Sequence, residues 1–228
     1  MRLKRILVVG LLVLAVAAIG WLMLNPQTDT PEEIQKMLVM VAINHDDRDR
    51  RLEAVKQLTD QACLADVIKF GNADDWTVRV EVVRKITDQA VLVEIARNDP
   101  DFATRLAAVG KLTDQALLAD VAKKAIESPA DMPVRRAAVF KLTDPAALAE
   151  AAKDDGDMDI LMRAVEALTD QALLDDVAKN AKNTFIRKLA IERLTDPATL
   201  TDIAENNPSQ VTRQRAQERL DALQKPSE

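Results

Sequence analysis

From residue 45 onward the hydrophobic and polar positions recur with a fixed plan. The tripeptide Leu/Ile-Thr-Asp occurs six times, with its acid at Asp60, Asp88, Asp114, Asp144, Asp170 and Asp196. Successive spacings are 28, 26, 30, 26 and 26 residues. With each of these aspartates numbered zero, position +2 is Ala and position +4 is Leu in all six copies. Positions +3, +7 and +8 are small or aliphatic, apart from Thr199. That spacing predicts one apolar helix face, here named helix B. The aspartate is placed to cap it, and Pro145 and Pro197 fall at the first helical position, where proline is tolerated.

The preceding segment carries a second helical pattern, helix A. Position −5 is Val or Ile throughout, position −6 is Ala except Val82, and position −2 is Leu except Ile86. Only a threonine separates helix A from the cap of helix B, so the expected unit is a tight antiparallel hairpin, A then B. About six such hairpins predict an all-α, right-handed solenoid over residues 32–222. A lone helix-B-like stretch, residues 32–44, precedes them. Arg213, Ala216 and Leu220 continue helix A at the other end, with polar Gln217 at position −5, as suits an exposed terminal face.

The N-terminal pattern differs. Residues 1–5 carry three positive charges, and an unbroken apolar run follows from Ile6 to Leu24. As a helix this run is about 28 Å long, close to the thickness of a bilayer core. The charge bias places residues 1–5 in the cytoplasm. A single-pass transmembrane signal anchor is expected over 6–24, followed by a linker at 25–31 and, beyond the solenoid, a polar tail at 223–228. The competing reading is a cleaved signal peptide, since Ala15-Val16-Ala17 resembles a cleavage site. Either way the repeats face the periplasm or cell exterior.

Composition narrows the chemistry. The 228 residues include one His, one Cys, five Gly and no Tyr. One His and one Cys cannot build a zinc site or an internal disulfide. No nucleophile elbow, zinc-protease or P-loop pattern is present, so no catalytic, cofactor-binding or metal-binding residue is assigned. Residues 25–228 hold 28 basic and 37 acidic side chains, a net charge of −9 that disfavours nucleic acid.

Charged positions also form columns. Position −9 is Arg51, Arg79, Arg105, Arg135 and Arg187, extended by Arg213; the fifth copy has Leu161 there, with Arg163 two residues on. Position +6 is acidic in every copy: Asp66, Glu94, Asp120, Glu150, Asp176 and Asp202. Position +9 is basic in five: Lys69, Arg97, Lys123, Lys153 and Lys179. The arginines suit a repeat-to-repeat ladder, with either the cap aspartate or a neighbouring +6 acid as partner. The +6 acids read alternatively as a stripe that binds a basic partner.

The stacked short hairpins, with Val-Arg in helix A and a Leu-Thr-Asp turn, resemble bacterial HEAT-type repeats over about residues 28–222. That resemblance implies an α-solenoid used mainly to bind other proteins, with an arginine–carboxylate ladder setting the stacking register. The expected function is therefore a non-catalytic, membrane-tethered interaction scaffold with an unidentified protein partner in the cell envelope. The alternative is a HEAT-like enzyme or ligand-binding protein of the bilin-lyase kind, with nucleic-acid binding a more distant one.

Three single residues complete the expectation. Cys63, at position +3, replaces a small aliphatic, and His45 is a loop residue beside Asp46 and Asp47. Trp76, Phe102, Met132 and Met158 share position −12 and are expected to plug the space beneath the inter-repeat turn.

Overall fold

The computed structural model describes residues 30–72, 74–124, 132–154 and 156–224. Fourteen α-helices fill them, and no strand occurs among the described residues. In chain order they are α1 (Pro31–Asn44), α2 (Arg48–Gln57), α3 (Gln61–Phe70), α4 (Trp76–Lys85), α5 (Gln89–Asn98), α6 (Phe102–Lys111) and α7 (Gln115–Lys124). There follow α8 (Met132–Lys141), α9 (Pro145–Asp154), α10 (Met158–Ala167), α11 (Gln171–Asn180), α12 (Thr184–Arg193), α13 (Pro197–Asn206) and α14 (Gln210–Gln224). The helices form two compact units, divided after Leu112. Among the described residues no helix is long and apolar enough to cross a membrane, and the apolar run 6–24 lies outside them.

The periodic apolar columns form the core. All six leucines at +4, from Leu64 to Leu200, are buried, as are both columns at −5 and −6 and the residues at −2. The +2 alanines are exposed in all six copies. They occupy the second helical position, beside the cap, where the chain is only entering the helix. Each capping aspartate accepts from first-turn amides: Asp60 from Cys63 (2.8 Å), Asp88 from Ala90 (2.8 Å) and Asp170 from Ala172 (2.9 Å) are typical.

The pairing of helices differs from the sequence-based expectation. The close hairpins run B then A: α1–α2, α3–α4 and α5–α6 in the first unit; α7–α8, α9–α10, α11–α12 and α13–α14 in the second. The Leu-Thr-Asp segment instead steps from one hairpin to the next. Its leucine is an extended C-cap, as at Leu58 (φ −63°, ψ 132°), and the aspartate is again extended, so the chain moves on rather than folding back. The result is seven hairpins rather than six. The "lone" first helix and the last one are the outer halves of complete hairpins.

A glutamine column, not singled out by the sequence pattern, ties these steps together. At position +1, the Gln61 amide oxygen accepts from the Thr87 backbone N–H (2.8 Å), and its Nε2 donates to the Lys85 carbonyl (3.2 Å). Gln115 repeats this with Thr143 and Lys141, and Gln171 with Thr195 and Arg193. Gln35 of α1 accepts from both Thr59 and Asp60. One side chain thus satisfies the free amide and carbonyl of the next turn. Basic residues at −3 add a second tie in the reverse direction: Arg193 donates to the Leu168 carbonyl (2.8 Å) and Arg219 to Leu194 (3.1 Å).

Two glycines have distinct accounts. A side chain at Gly71 would meet the Val67 carbonyl oxygen at 2.5 Å, so the α3 C-terminus requires glycine by contact. A side chain at Gly110 would meet nothing within 4 Å, so the space there would accept one.

Replacing Gln171 with Ala is expected to lower Tm by about 2–4 °C, for a loss of about 1 kcal/mol. Gln214→Ala is the control, since that amide reaches only Glu218 on its own helix, and leaves Tm unchanged. Thermal unfolding followed by circular dichroism checks both.

Candidate functional site

The arginine column is anchored in the loop between helix B and helix A. Arg51 Nη1 donates to the carbonyls of His45 (2.5 Å) and Asp46 (3.0 Å). Arg105 does the same to Asp99 (2.7 Å) and Pro100 (3.2 Å), Arg187 to Ala181 (2.7 Å) and Lys182 (3.1 Å), and Arg213 to Asn207 (2.7 Å) and Pro208 (3.2 Å). The acceptors are always six and five residues upstream, so each guanidinium holds its own hairpin loop closed. The rest of the fork reaches the next hairpin. Arg51 pairs with Asp75, and Arg187 Nε donates to Thr212 Oγ1 (3.0 Å). Arg79 pairs with Asp99, both partners being buried. Arg135 is buried in α8.

These contacts revise the two partners proposed for the ladder. The hydrogen bonds of Arg51, Arg79, Arg187 and Arg213 run to loop carbonyls and to Asp75, Asp99 and threonines, not to the caps at zero or the acids at +6. The zero-position aspartates are occupied by first-turn amides. Asp75 holds an equivalent cap on helix A, as do Asp47, Asp101, Asp157 and Asn183. This column at −13 was legible as a run of Asp and Asn before each helix A. For Asp75, burial pushes the carboxyl up, but Thr77 and Arg51 outweigh it and hold it below the usual range.

Where Leu161 replaces the arginine, its side chain is buried. The loop is reached instead from α8: Arg136 donates to the Asp157 carboxylate (2.6 Å). Arg163 lies over the Phe140 ring, 5.9 Å from its centre.

The +6 acids do form a ladder, but with the +9 lysines. Lys153 of α9 reaches Asp176 of α11 (2.7 Å), and Lys179 of α11 reaches Asp202 of α13 (2.8 Å). Asp66, Glu94 and Glu150 are exposed, and Asp120 is half-buried. Glu94 pairs within its own helix with Arg97 (3.6 Å), and Glu150 with Lys153 (2.7 Å).

Position −12 corrects another expectation. Trp76, Phe102 and Met158 are exposed at 52%, 42% and 43%, not plugged beneath a turn; Met132 is half-buried. Each is the first residue of helix A. Helical side chains tilt toward the N-terminus, so a bulky first residue overhangs the helix end with no earlier turn to cover it. Phe70, the last residue of α3, is 59% exposed, and Phe185, the second of α12, is 48% exposed. These side chains all lie at the B-to-A end of their hairpins.

Cys63 is half-buried; burial and then the Asp60 carboxylate push its thiol up, so it stays protonated and weakly nucleophilic. His45 Nδ1 accepts from the Asp47 backbone N–H (3.0 Å), a loop role. No group of three or more potential metal ligands occurs among the described residues.

The ladder sets a pH dependence. Hydrogen bonds from Lys153 and Lys179 hold Asp176 and Asp202, respectively, below the ordinary carboxylate range. A lowered native value means stability present above about pH 4 and lost as pH falls through the native value. The lysines are raised, chiefly by hydrogen bonds to Asp176 and Asp202. Their contribution is therefore present below about pH 10 and lost as pH rises through the higher native value. A combined Asp176→Asn, Asp202→Asn variant is expected to have a lower urea midpoint than the parent at pH 7. The two midpoints approach each other as pH falls through the lowered native values and the parent carboxylates become protonated.

No family model, no curated protein and no solved structure matches this chain.

Proposed function

We propose that this protein is a non-catalytic interaction scaffold: a right-handed HEAT-type α-solenoid tethered by residues 6–24 outside the cytoplasmic membrane, N-terminus inside. Its partner is a protein of the cell envelope, and nucleic acid is not among its ligands. The observation that carries the reading is the recurrence of large exposed apolar side chains at one end of successive hairpins. Trp76, Phe102 and Met158 occupy the same repeat position and are all exposed, with the Arg105 guanidinium 5.8 Å from the Phe102 ring centre. Exposed aromatics on a rigid frame bind with little loss of side-chain freedom, which is why such residues dominate interface hot spots. The patterned charges have a different occupation. Arginines at −9, aspartates at zero and −13, and the lysine–aspartate pairs hold helices and loops in place, which supports a frame rather than a reaction centre. The net charge of −9 over residues 25–228 supports a protein partner over a polyanion.

The test is affinity capture from crosslinked native membranes with full-length bait, comparing the parent with Trp76→Ser and Phe102→Ser combined. Both side chains are exposed, so the variant stays folded, which thermal unfolding checks alongside the capture. The expected result is one dominant envelope protein, reduced at least fivefold by the double variant, with the bait's 1–24 peptide still attached. No partner above an anchor-only control, or equal recovery with the variant, contradicts the proposal.

A further inference from the structure

The first and last hairpins end the repeats in different ways. Gln35 bonds to the following step as the +1 glutamines do, so α1 carries the repeat register, with Ile34 at position zero. Leu38 at +4 and Val41 at +7 are then half-buried, where every later copy is buried at those positions. Position +6 faces the preceding hairpin, as the bridges from Lys153 to Asp176 and from Lys179 to Asp202 show. There α1 has Met40 in place of an acid. Ile34, Met37, Met40 and Val41 therefore form an uncharged stripe on the outward side of the first hairpin. Ile34 is 39% exposed, and the other three are half-buried. In the last hairpin α13 exposes Thr201 and Glu205, and α14 exposes Gln214, Gln217 and Glu218. A terminal repeat that meets water needs such a polar surface, and α1 lacks one.

The stripe is confined to one helix of its hairpin. In α2, Arg50 stands at −10, where the six later copies bury Val78, Thr104, Val134, Ile160, Ile186 and Thr212. Arg50 is exposed, as are Glu53 and Gln57 at −7 and −3 on the same helix side. A whole hairpin stacked on this end would cover both helices and bury those polar groups, which disfavours a further repeat or the end of another copy. The surface suits an apolar medium bordered by a polar layer, with α1 in the first and Arg50 in the second. The other charges nearby are engaged within their own helices. Glu32 pairs with Lys36 (2.6 Å), Glu33 accepts from the Thr30 N–H (2.8 Å) in the capping box, and Glu53 pairs with Lys56 (3.4 Å).

The length of chain before α1 selects the occupant. Six residues, 25–30, separate the apolar run 6–24 from Pro31. Fully extended, six residues reach about 20 Å. With residues 6–24 in a bilayer, the first turn of α1 is held within that distance of the lipid surface. We propose that α1 docks on the outer surface of the bilayer that holds the tether: Ile34, Met37, Met40 and Val41 enter the boundary of the acyl chains, and Arg50 meets headgroup phosphates. This rests on the tether in the reading above. A helix of 14 residues, about 21 Å long, lies along such a surface, and flexible methionines adapt to it. A short interfacial helix binds lipid weakly by itself, and a tether turns that contact into an intramolecular one. With α1 on the lipid, Trp76 and Phe102 are carried on the second and third hairpins, clear of the membrane surface.

The test places an NBD fluorophore at Met40→Cys in the full-length chain, with Cys63→Ser removing the native thiol. The chain is reconstituted in vesicles of phosphatidylethanolamine and phosphatidylglycerol, with and without a spin-labelled phosphatidylcholine that quenches at shallow depth. The control carries the label at Glu94→Cys, the same repeat position two copies on and exposed. Circular dichroism checks that each labelled chain is folded; if Met40→Cys is not, the already exposed Ile34→Cys takes its place. Spin-labelled lipid is expected to quench the label at 40 roughly twofold or more and to leave the label at 94 unchanged. No quenching at 40, or equal quenching at both sites, overturns the proposal. Disulfide-linked dimers of unlabelled Met40→Cys, without quenching at 40, assign the stripe to a second copy and also overturn it. Flotation after an alkaline carbonate wash separates this inference from the tether. A chain that floats with the vesicles while position 40 stays unquenched removes the docking and leaves the tether standing; a chain that washes off removes both.

Discussion

Four of the hairpins depend on one guanidinium that closes the loop between their helices. A helix C-terminus leaves carbonyls without partners, and a three-residue loop leaves no room for the chain to satisfy them. The arginine one turn into the next helix reaches back to the carbonyls five and six residues upstream, four times over with the same pair of acceptors. Arginine suits this work because its planar fork donates in two directions at once. One edge closes the loop, and the other engages Asp75 or Thr212 of the hairpin that follows. Loop closure and stacking register are thereby set by the same residue.

The rest of the frame follows from that fixed hairpin. With the B-to-A loop closed, the Leu-Thr-Asp step must carry the chain to the next hairpin in an extended conformation. Extended backbone exposes amides and carbonyls, which the +1 glutamine and the −3 lysine or arginine satisfy from the neighbouring hairpins. Where proline stands at +1, at Pro145 and Pro197, the glutamine tie is absent, and for the first of these the basic tie from Arg193 to Leu168 remains. The lysine–aspartate bridges lie on the other helix layer. Being partly exposed, they contribute less to stability than the buried columns.

Much of this architecture was legible in the residues. The 3.6-residue apolar columns fixed helix identity, the buried leucines at +4 and the capping aspartates. Which helices pair closely was not legible, because both connections are about three residues long and both end in an Asp or Asn cap. The arginine's acceptors were hidden for a related reason: backbone carbonyls carry no sequence signature, so a search for acidic partners looked at side chains alone. The glutamines at +1 share their position with Pro145 and Pro197, and their reach across hairpins emerged only from the fold. Trp76 and Phe102 read as buried because they are apolar and periodic; at the first helical position periodicity does not imply cover.

Hydrogen-exchange mass spectrometry on Arg187→Lys tests the role of the guanidinium most directly. Lysine keeps the charge and most of the length but cannot donate to the Ala181 and Lys182 carbonyls, Thr184 and Thr212 together, as Arg187 does. If the arginine closes the loop and sets the register, amides at 181–186 and 209–214 lose protection together and Tm falls by several degrees, for a loss of about 1–3 kcal/mol. Unchanged exchange in both segments, with an unchanged Tm, would show that charge alone suffices and that the loop closes without the arginine's hydrogen bonds.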